Sequence, residues 1–304
     1  MRTMNLQQQM EKTDKEIDRL LNSGNKKVLA VYKETLKNMK GILSDFFEKY
    51  EKGGKLTYEE LAKYNRKDKL EKELRKELAR ANNRAIQQMR GTLRETFKET
   101  YYQTGWTVEN ATKARVIPIL KDEYIETALE NEISGLKWVK RMGRNREDIV
   151  IQINETLTQG LQRGETYSQM TQRLSDRLGV KASKAERIVR TEGHRIKEEA
   201  KTRCLDGASE RGVAMKKTWR TAVDERVRDK HIDMEGQTVP YKENFETPDG
   251  ATGRYPGAMG EAEHDINCRC IYTVEIVRVE RDPSPTVQDI GSYSEWKKER
   301  MDAA

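Results

Sequence analysis

Apolar residues in the first two thirds of the chain recur every three or four positions, the spacing of one face of an α-helix. Leu6 to Leu21 is a first such segment. Val28, Tyr32, Leu36, Met39, Leu43, Phe46 and Tyr50 form a second, which Gly53-Gly54 ends. A third, from Asp68 to Thr104, carries the stripe Leu70, Leu74, Leu78, Ala81, Ala85, Met89, Leu93, Phe97 and Tyr101. At helical rise it would be on the order of 50 Å long. The stripe is narrow, which suits packing against one or two other helices as intramolecular core rather than as a coiled coil between chains. Glu123–Val139 and Arg146–Leu161 continue the helical pattern. Residues 164–180 predict a short helix closed by Gly179. Ser183 and Glu186 have capping-box spacing and open another, which runs to Cys204 or on to Glu210 and stops at Gly212.

After Gly212 the period changes. Met215–Arg220, Gln237–Tyr241 and Cys270–Val279 read as strands, and Asp224–Met234 as a short helix ended by Gly236. Between the second and third strands lies a loop with Gly250, Gly253, Gly257 and Gly260, in which Tyr255-Pro256-Gly257 is a turn. Only Pro118 precedes residue 239, whereas Pro240, Pro248, Pro256, Pro283 and Pro285 follow it, so long helices belong to the front of the chain. The expected fold is a mainly α N-terminal part of long amphipathic helices followed by a small α+β C-terminal domain. Its expected divisions are a helical stalk or bundle over 1–144, a further helical part over 145–212, the small domain over 213–280 and a tail over 281–304. The tail begins at the DPSP tetrapeptide, 282–285, and contains a last helix, Tyr293–Met301, whose Trp296 would dock on a partner or on the body.

Composition sharpens this. Of 304 residues, 36% are charged and 35% hydrophobic, a balance that suits extended helices with a thin core. The net charge of +7 favours polyanions such as DNA or an acidic protein surface. No apolar run reaches the roughly 18 residues of a membrane span, and the polar N-terminus has no targeting pattern. Three cysteines, Cys204, Cys268 and Cys270, do not make a disulfide framework.

The candidate chemistry lies in the last third. On the helix after Ser183, Glu192 falls in the middle of the side formed by Ala185, Ile188, Val189, Ile196 and Ala200. A buried carboxylate needs a cation or several donors, and Lys217, Arg226 and Arg228 are its candidate partners. Arg190 to Arg195 would then clamp the helical part to the small domain, with His194 off the stripe and at the surface. His231, His264, Cys268 and Cys270 offer two nitrogens and two thiolates, a donor set for tetrahedral structural zinc. The C-x-C bite is tighter than usual. The alternative is a pair of half-buried cysteines beside a strand, with Arg269 turned outward. A nuclease reading uses Asp224, His231, His264, Asp265 and Asn267 as a one-metal site that activates water, but the paired cysteines argue against it. No phosphate loop, nucleophile elbow or dinucleotide fingerprint is present. Trp219, Phe245 and Tyr255 are expected core residues of the small domain.

One ordered set spans both parts of this region: Arg190-Thr191-Glu192 with Gly193-His194-Arg195; Lys216-Lys217-Thr218-Trp219; Asp224, Arg226 and Arg228; His231; Gly236-Gln237; Phe245; Tyr255-Pro256-Gly257; and Asn267-Cys268-Arg269-Cys270. Over roughly 145–275 it resembles the Mu F-like minor head proteins of tailed phages, also called head morphogenesis proteins. Glu235 departs from the pattern, where the family more often has Asp, and His264 is optional in it. The resemblance implies a non-enzymatic minor capsid protein inside the virion, assembled in the host cytoplasm. Such proteins bind the portal, act in procapsid assembly, DNA packaging or ejection, and have the scaffold or major capsid protein as further partners. Any DNA contact would be non-specific. The rival readings are a metal-dependent nuclease centred on His231 and His264, and a DNA-binding packaging factor working through residues 1–180 alone.

Overall fold

The computed structural model describes residues 6–133, 135–222, 224–279 and 290–303. The helical periodicity materialises in fewer, longer helices than predicted. Helix α1, Leu6–Tyr50, is continuous through the Ser23-Gly24-Asn25 segment expected to separate two helices. Gly24 and Asn25 are buried and carry the inward stripe from Ile17 on to Val28, so the packed face has no gap. A short helix α2, Tyr58–Ala62, is capped by Thr57 Oγ1, which accepts from Glu60 N. Helix α3, Arg66–Thr112, extends the predicted third segment at both ends and is about 70 Å long. Its predicted stripe from Leu70 to Tyr101 is buried throughout.

The segment predicted as one helix over Glu123–Val139 is split. Helix α4, Asp122–Glu130, ends at Asn131, and Ile133 bridges Leu136 before α5, Trp138–Arg163. Helix α6, Tyr167–Glu210, fuses the two helices predicted on either side of Gly179. Met170, Leu174, Leu178, Ala185 and Val189 keep one stripe buried across the join, so one glycine in a helix interior, at about 1 kcal/mol relative to alanine, does not stop it. The Ser183 capping box therefore does not form. Ser183 Oγ donates to Gly179 O at 3.2 Å, and Glu186 accepts from Asn25 Nδ2 at 3.0 Å.

Strand β1, Val213–Arg220, starts after Gly212, whose φ of +87° favours glycine. The helix expected over Asp224–Met234 is a single turn, α7, Asp229–Ile232. The short strands β2, Thr238–Pro240, β3, Phe245–Glu246, and β4, Thr252–Gly253, follow, then one turn of helix, α8, Ala262–Asp265. Strand β5, Ile271–Val279, completes a three-stranded antiparallel sheet of order β2-β1-β5, with Trp219 opposite Tyr272 and a bulge at Ala214/Met215. The DPSP segment lies outside the described residues. Helix α9, Tyr293–Asp302, opens with a complete capping box between Ser292 and Glu295.

The chain forms two compact units. One comprises Ser23–Arg90 and Trp138–Val189, where parts of α1, α3 and α6 pack with α5. Its core holds Val28, Met39 and Leu43 with Leu74, Met89, Ile153 and Leu174. Asn145 Nδ2 bridges helices there, donating to Lys181 O at 3.1 Å and Tyr32 Oη at 3.4 Å. The other comprises Met1–Asn22, Gly91–Lys137 and Arg190–Ala304 and contains the sheet. There Tyr272 Oη lies 2.7 Å from Thr202 Oγ1, and Tyr241 Oη donates to Thr202 O at 2.9 Å, fastening the sheet to α6. Trp296 docks on this body: it is buried, and its Nε1 donates to Glu109 Oε2 at 2.8 Å.

Candidate metal centre

The tetrapeptide Asn267-Cys268-Arg269-Cys270 leads into β5. Extended backbone puts alternate side chains on opposite faces, so Cys268 and Cys270 both point inward and are buried. Arg269, between them, stays at the surface and binds both carboxylate oxygens of Asp224. Asn267 turns the chain at a φ of +59°, a conformation asparagine tolerates. Its N–H donates to Thr191 Oγ1 of α6 at 3.0 Å, which sets the height of the cysteines beside that helix.

His231, from α7, is also buried. Its Nδ1 lies 3.7 Å from Cys268 Sγ and 3.5 Å from Cys270 Sγ. The three potential ligand atoms all lie within 4.8 Å of one another. On the other side of the ring, Nε2 faces His264 Nδ1 at 3.2 Å, with the two imidazoles stacked. His264 therefore meets His231 and not the sulfurs. Its Nε2 is 3.4 Å from Asp249 Oδ2 and 3.6 Å from Glu263 Oε1. Trp219 walls the cluster, with its ring edge-on to His231 and to Phe245. Gly236, at a φ of +79°, closes the turn behind it, its N–H donating to Trp219 O at 3.0 Å.

The two thiols are not equivalent. Cys268 donates a hydrogen bond to Cys270, which lowers the Cys270 pKa against the effect of burial. The Trp219 indole N–H and the Ala222 backbone N–H act in the same direction. The same hydrogen bond, then burial, pushes the Cys268 thiol up. Cys270 is the thiol that ionises first.

His194 departs from its predicted surface position. It is 7% exposed, with its imidazole against the Cys268 sulfur. The glycine-rich loop covers this side of α6: a Cβ on Gly257 would come within 3.3 Å of His194 Cδ2. Helical periodicity finds one buried face, and here nearly the whole circumference from Thr191 to Thr202 is buried.

The predicted partners of Glu192 also differ. Glu192 is fully buried, but its carboxylate meets Arg195, one turn along the same helix, at 3.0 Å. Arg195 in turn donates to Ala128 O at 2.8 Å. Lys217 goes elsewhere: its Nζ donates to Arg254 O at 2.6 Å over the Phe245 ring, and burial lowers its pKa to about 8. Arg228 donates to Ile266 O, and Arg226, largely exposed, lies beside Asp224. Arg190 is exposed on the rim of a cleft of about 310 Å³ that it shares with Asn22, His194, Cys268 and Arg269. The nuclease constellation does not converge. Asp224 is held by Arg269, and Asp265 accepts from Met259 N and Gly260 N at 2.8 and 2.9 Å.

A buried charge cluster escaped prediction from the sequence. Lys201 Nζ lies 3.1 Å from both Asp14 Oδ1 and Glu198 Oε2, and Lys197 Nζ is 2.9 Å from Asp18 Oδ1. The available signal was charge complementarity: acids at i, i+4 on α1 and lysines at i, i+4 on α6.

The family described as Phage Mu protein F like protein matches residues 151–273. The Minor head protein GP7 of Bacillus phage SPP1 is 33% identical over 302 residues, covering 96% of this chain and 98% of that protein. The chain belongs to the Mu F-like minor head proteins. The family match takes in His194, His231, His264, Cys268 and Cys270, together with α6 and most of the sheet. A second relative is the NAD(+)–arginine ADP-ribosyltransferase EFV of Enterococcus faecalis, 27% identical over 203 residues, which are 64% of this chain and 41% of that protein. No solved structure matches. No helix among the described residues is long and apolar enough to cross a membrane.

Proposed function

We propose that this Mu F-like chain is a minor structural component of the phage head that binds the portal protein in the procapsid and remains inside the capsid against the packaged DNA. The observation that carries this reading is the match to the Minor head protein GP7, which extends over 98% of that protein. It takes in the helical part as well as the signature segment, so an architecture is shared and not one motif. Contacts with scaffold or major capsid protein, and a part in DNA packaging or ejection, belong to the same proposal.

Charge supports a contact with DNA. The unit formed by Ser23–Arg90 and Trp138–Val189 holds 28 lysines and arginines against 16 acidic residues, a net charge of +12. The chain as a whole is +7, which leaves the other unit at −5. Lys69, Lys72 and Lys76 form an exposed strip along α3 with no ion pair among the described residues. Cations in this state release counterions from phosphate on binding, independently of base sequence.

No catalytic role is assigned. Asp224 and Asp265, the carboxylates of the hydrolase reading, are held by Arg269 and by the Met259 and Gly260 N–H groups. The chain spans about two fifths of the ADP-ribosyltransferase it resembles, and the activity in that protein's name is not carried over.

Quantitative mass spectrometry of procapsids, full particles and DNA-ejected particles tests the reading. The expected result is a small number of copies in procapsids and full particles, far below the major capsid protein. A drop in ejected particles would make the chain a protein that leaves with the DNA. Absence from all three would overturn the proposal.

A further inference from the structure

We propose that His231, Cys268 and Cys270 bind a zinc ion, that His194 of α6 supplies the fourth ligand, and that His264 stays outside the coordination sphere and orients His231.

The donor set is two thiolates and two imidazole nitrogens, the composition of a closed structural zinc site. His231 already has the arrangement of a ligand histidine. Metal-binding imidazoles donate their second N–H to a fixed acceptor, which sets the tautomer and ring plane. Here His231 Nε2 has His264 Nδ1 at 3.2 Å. With the proton on Nε2, the Nδ1 lone pair faces the two sulfurs at 3.7 and 3.5 Å. His264 continues the chain, its Nε2 lying 3.4 Å from Asp249 Oδ2. His264 Nδ1 thus faces His231, and its Nε2 lies toward Asp249 rather than toward the cysteines.

The fourth donor comes from α6. The His194 imidazole lies against Cys268, outside the group formed by the other three ligand atoms, and its buried Nε2 has no nitrogen or oxygen partner. A buried nitrogen left this way is unfavourable, and a metal on the adjacent sulfur would satisfy it. The Trp219 indole N–H faces Cys270. An N–H aimed at sulfur stabilises the thiolate that a metal requires. The cleft of about 310 Å³ reaches both His194 and Cys268, so an ion has a path from solvent.

The ion would tie α6, α7 and the entry to β5 together. The strands beside the cluster are short, β2 with three residues and β3 and β4 with two each. Metal binding would appear there as folding free energy.

The test uses the full chain, stripped with a chelator and titrated with Zn²⁺ and, in parallel, with Co²⁺ as a spectroscopic stand-in. The expected stoichiometry is about one ion per chain, with thiolate-to-cobalt charge transfer and the visible bands of a tetrahedral site. Cys268→Ser/Cys270→Ser abolishes both signals, and Cys204→Ala leaves them unchanged. His194→Gln alters the cobalt bands and weakens zinc at least tenfold. His264→Gln keeps the tetrahedral bands while affinity falls about 10–100-fold, the usual effect of losing an orienting partner. No stoichiometric binding by the wild-type chain overturns the site. Altered cobalt bands in His264→Gln but not in His194→Gln overturn the ligand assignment. Circular dichroism identifies a variant that fails to fold; the wild-type titration decides the site without any variant.

Discussion

Among single side chains, the largest electrostatic burden falls on the charges that α6 turns toward α1. Asp14, Lys197, Glu198 and Lys201 are each no more than 3% exposed. Burial pulls the Lys197 ammonium down, but Asp14, Asp18 and Glu198 around it outweigh burial and leave its pKa raised. Lys201 binds Asp14 and Glu198, donates to Tyr272 O at 3.2 Å and lies over the Tyr272 ring. Glu198 is pushed up to about 7, burial outweighing the attraction of Lys201 and Lys197. An acid whose folded pKa is raised holds a proton that the unfolded chain has already released. Between about pH 4.5 and 7 the folded state therefore binds more protons, and stability falls as pH rises through that window. Relative to Glu198→Gln, the wild-type chain should lose on the order of 3 kcal/mol of unfolding free energy from pH 4.5 to 7.5. Denaturant titrations at both pH values measure it. A constant difference between the two proteins would show that Glu198 does not carry the effect.

At the scale of elements, glycines that look alike in sequence separate by what surrounds them. Gly179 sits inside α6, and a methyl group added there would meet nothing within 4 Å. Gly207, in the same helix, would place a Cβ 2.4 Å from both Cγ and Cδ of Pro118, a ring that cannot rotate away. Gly179→Ala is expected to stabilise the chain by about 0.5–1 kcal/mol through helix propensity. Gly207→Ala is expected to destabilise it by about 1–3 kcal/mol through overpacking. Thermal melts of the two variants check both signs. The same contrast marks what the sequence made legible. The stripe Leu70 to Tyr101 and strand β1 were readable because one face of each is buried and apolar while the other is more open. Helix ends at Leu21, Gly179 and Ser183 were misread because local stop signals lose to a packed face that continues through them. In the candidate site, His231, Cys268 and Cys270 were visible as types and spacing. That His194 lies at Cys268 while His264 faces His231 was not, because it depends on which ring nitrogen faces which neighbour. Glu192 was rightly placed in the interior, but its cation lay three residues away rather than in the next domain.

For the whole molecule, the unequal division of charge makes the DNA contact testable without separating the units. A net +7 spread evenly over 304 residues would give weak, diffuse attraction. Here one unit carries +12 and the other −5, so the attraction is confined to the first and opposed by the second. Helix periodicity then aligns part of it, since Lys69, Lys72 and Lys76 recur on one side of α3. The full chain is expected to bind duplex DNA without sequence preference, with log affinity falling linearly with log salt. Each phosphate contact contributes a slope of about −0.9, so Lys69→Glu/Lys72→Glu/Lys76→Glu should reduce the slope by about 3 and the affinity by more than tenfold at low salt. Lys216→Glu/Lys242→Glu, exposed lysines of the acidic unit, should leave both nearly unchanged. Fluorescence anisotropy on two unrelated duplexes over a salt series separates the cases. Equal losses from the two sets of substitutions would mean that net charge alone governs binding. No loss from the α3 set would remove the basic unit as the DNA contact and leave the protein–protein part of the head assignment standing alone.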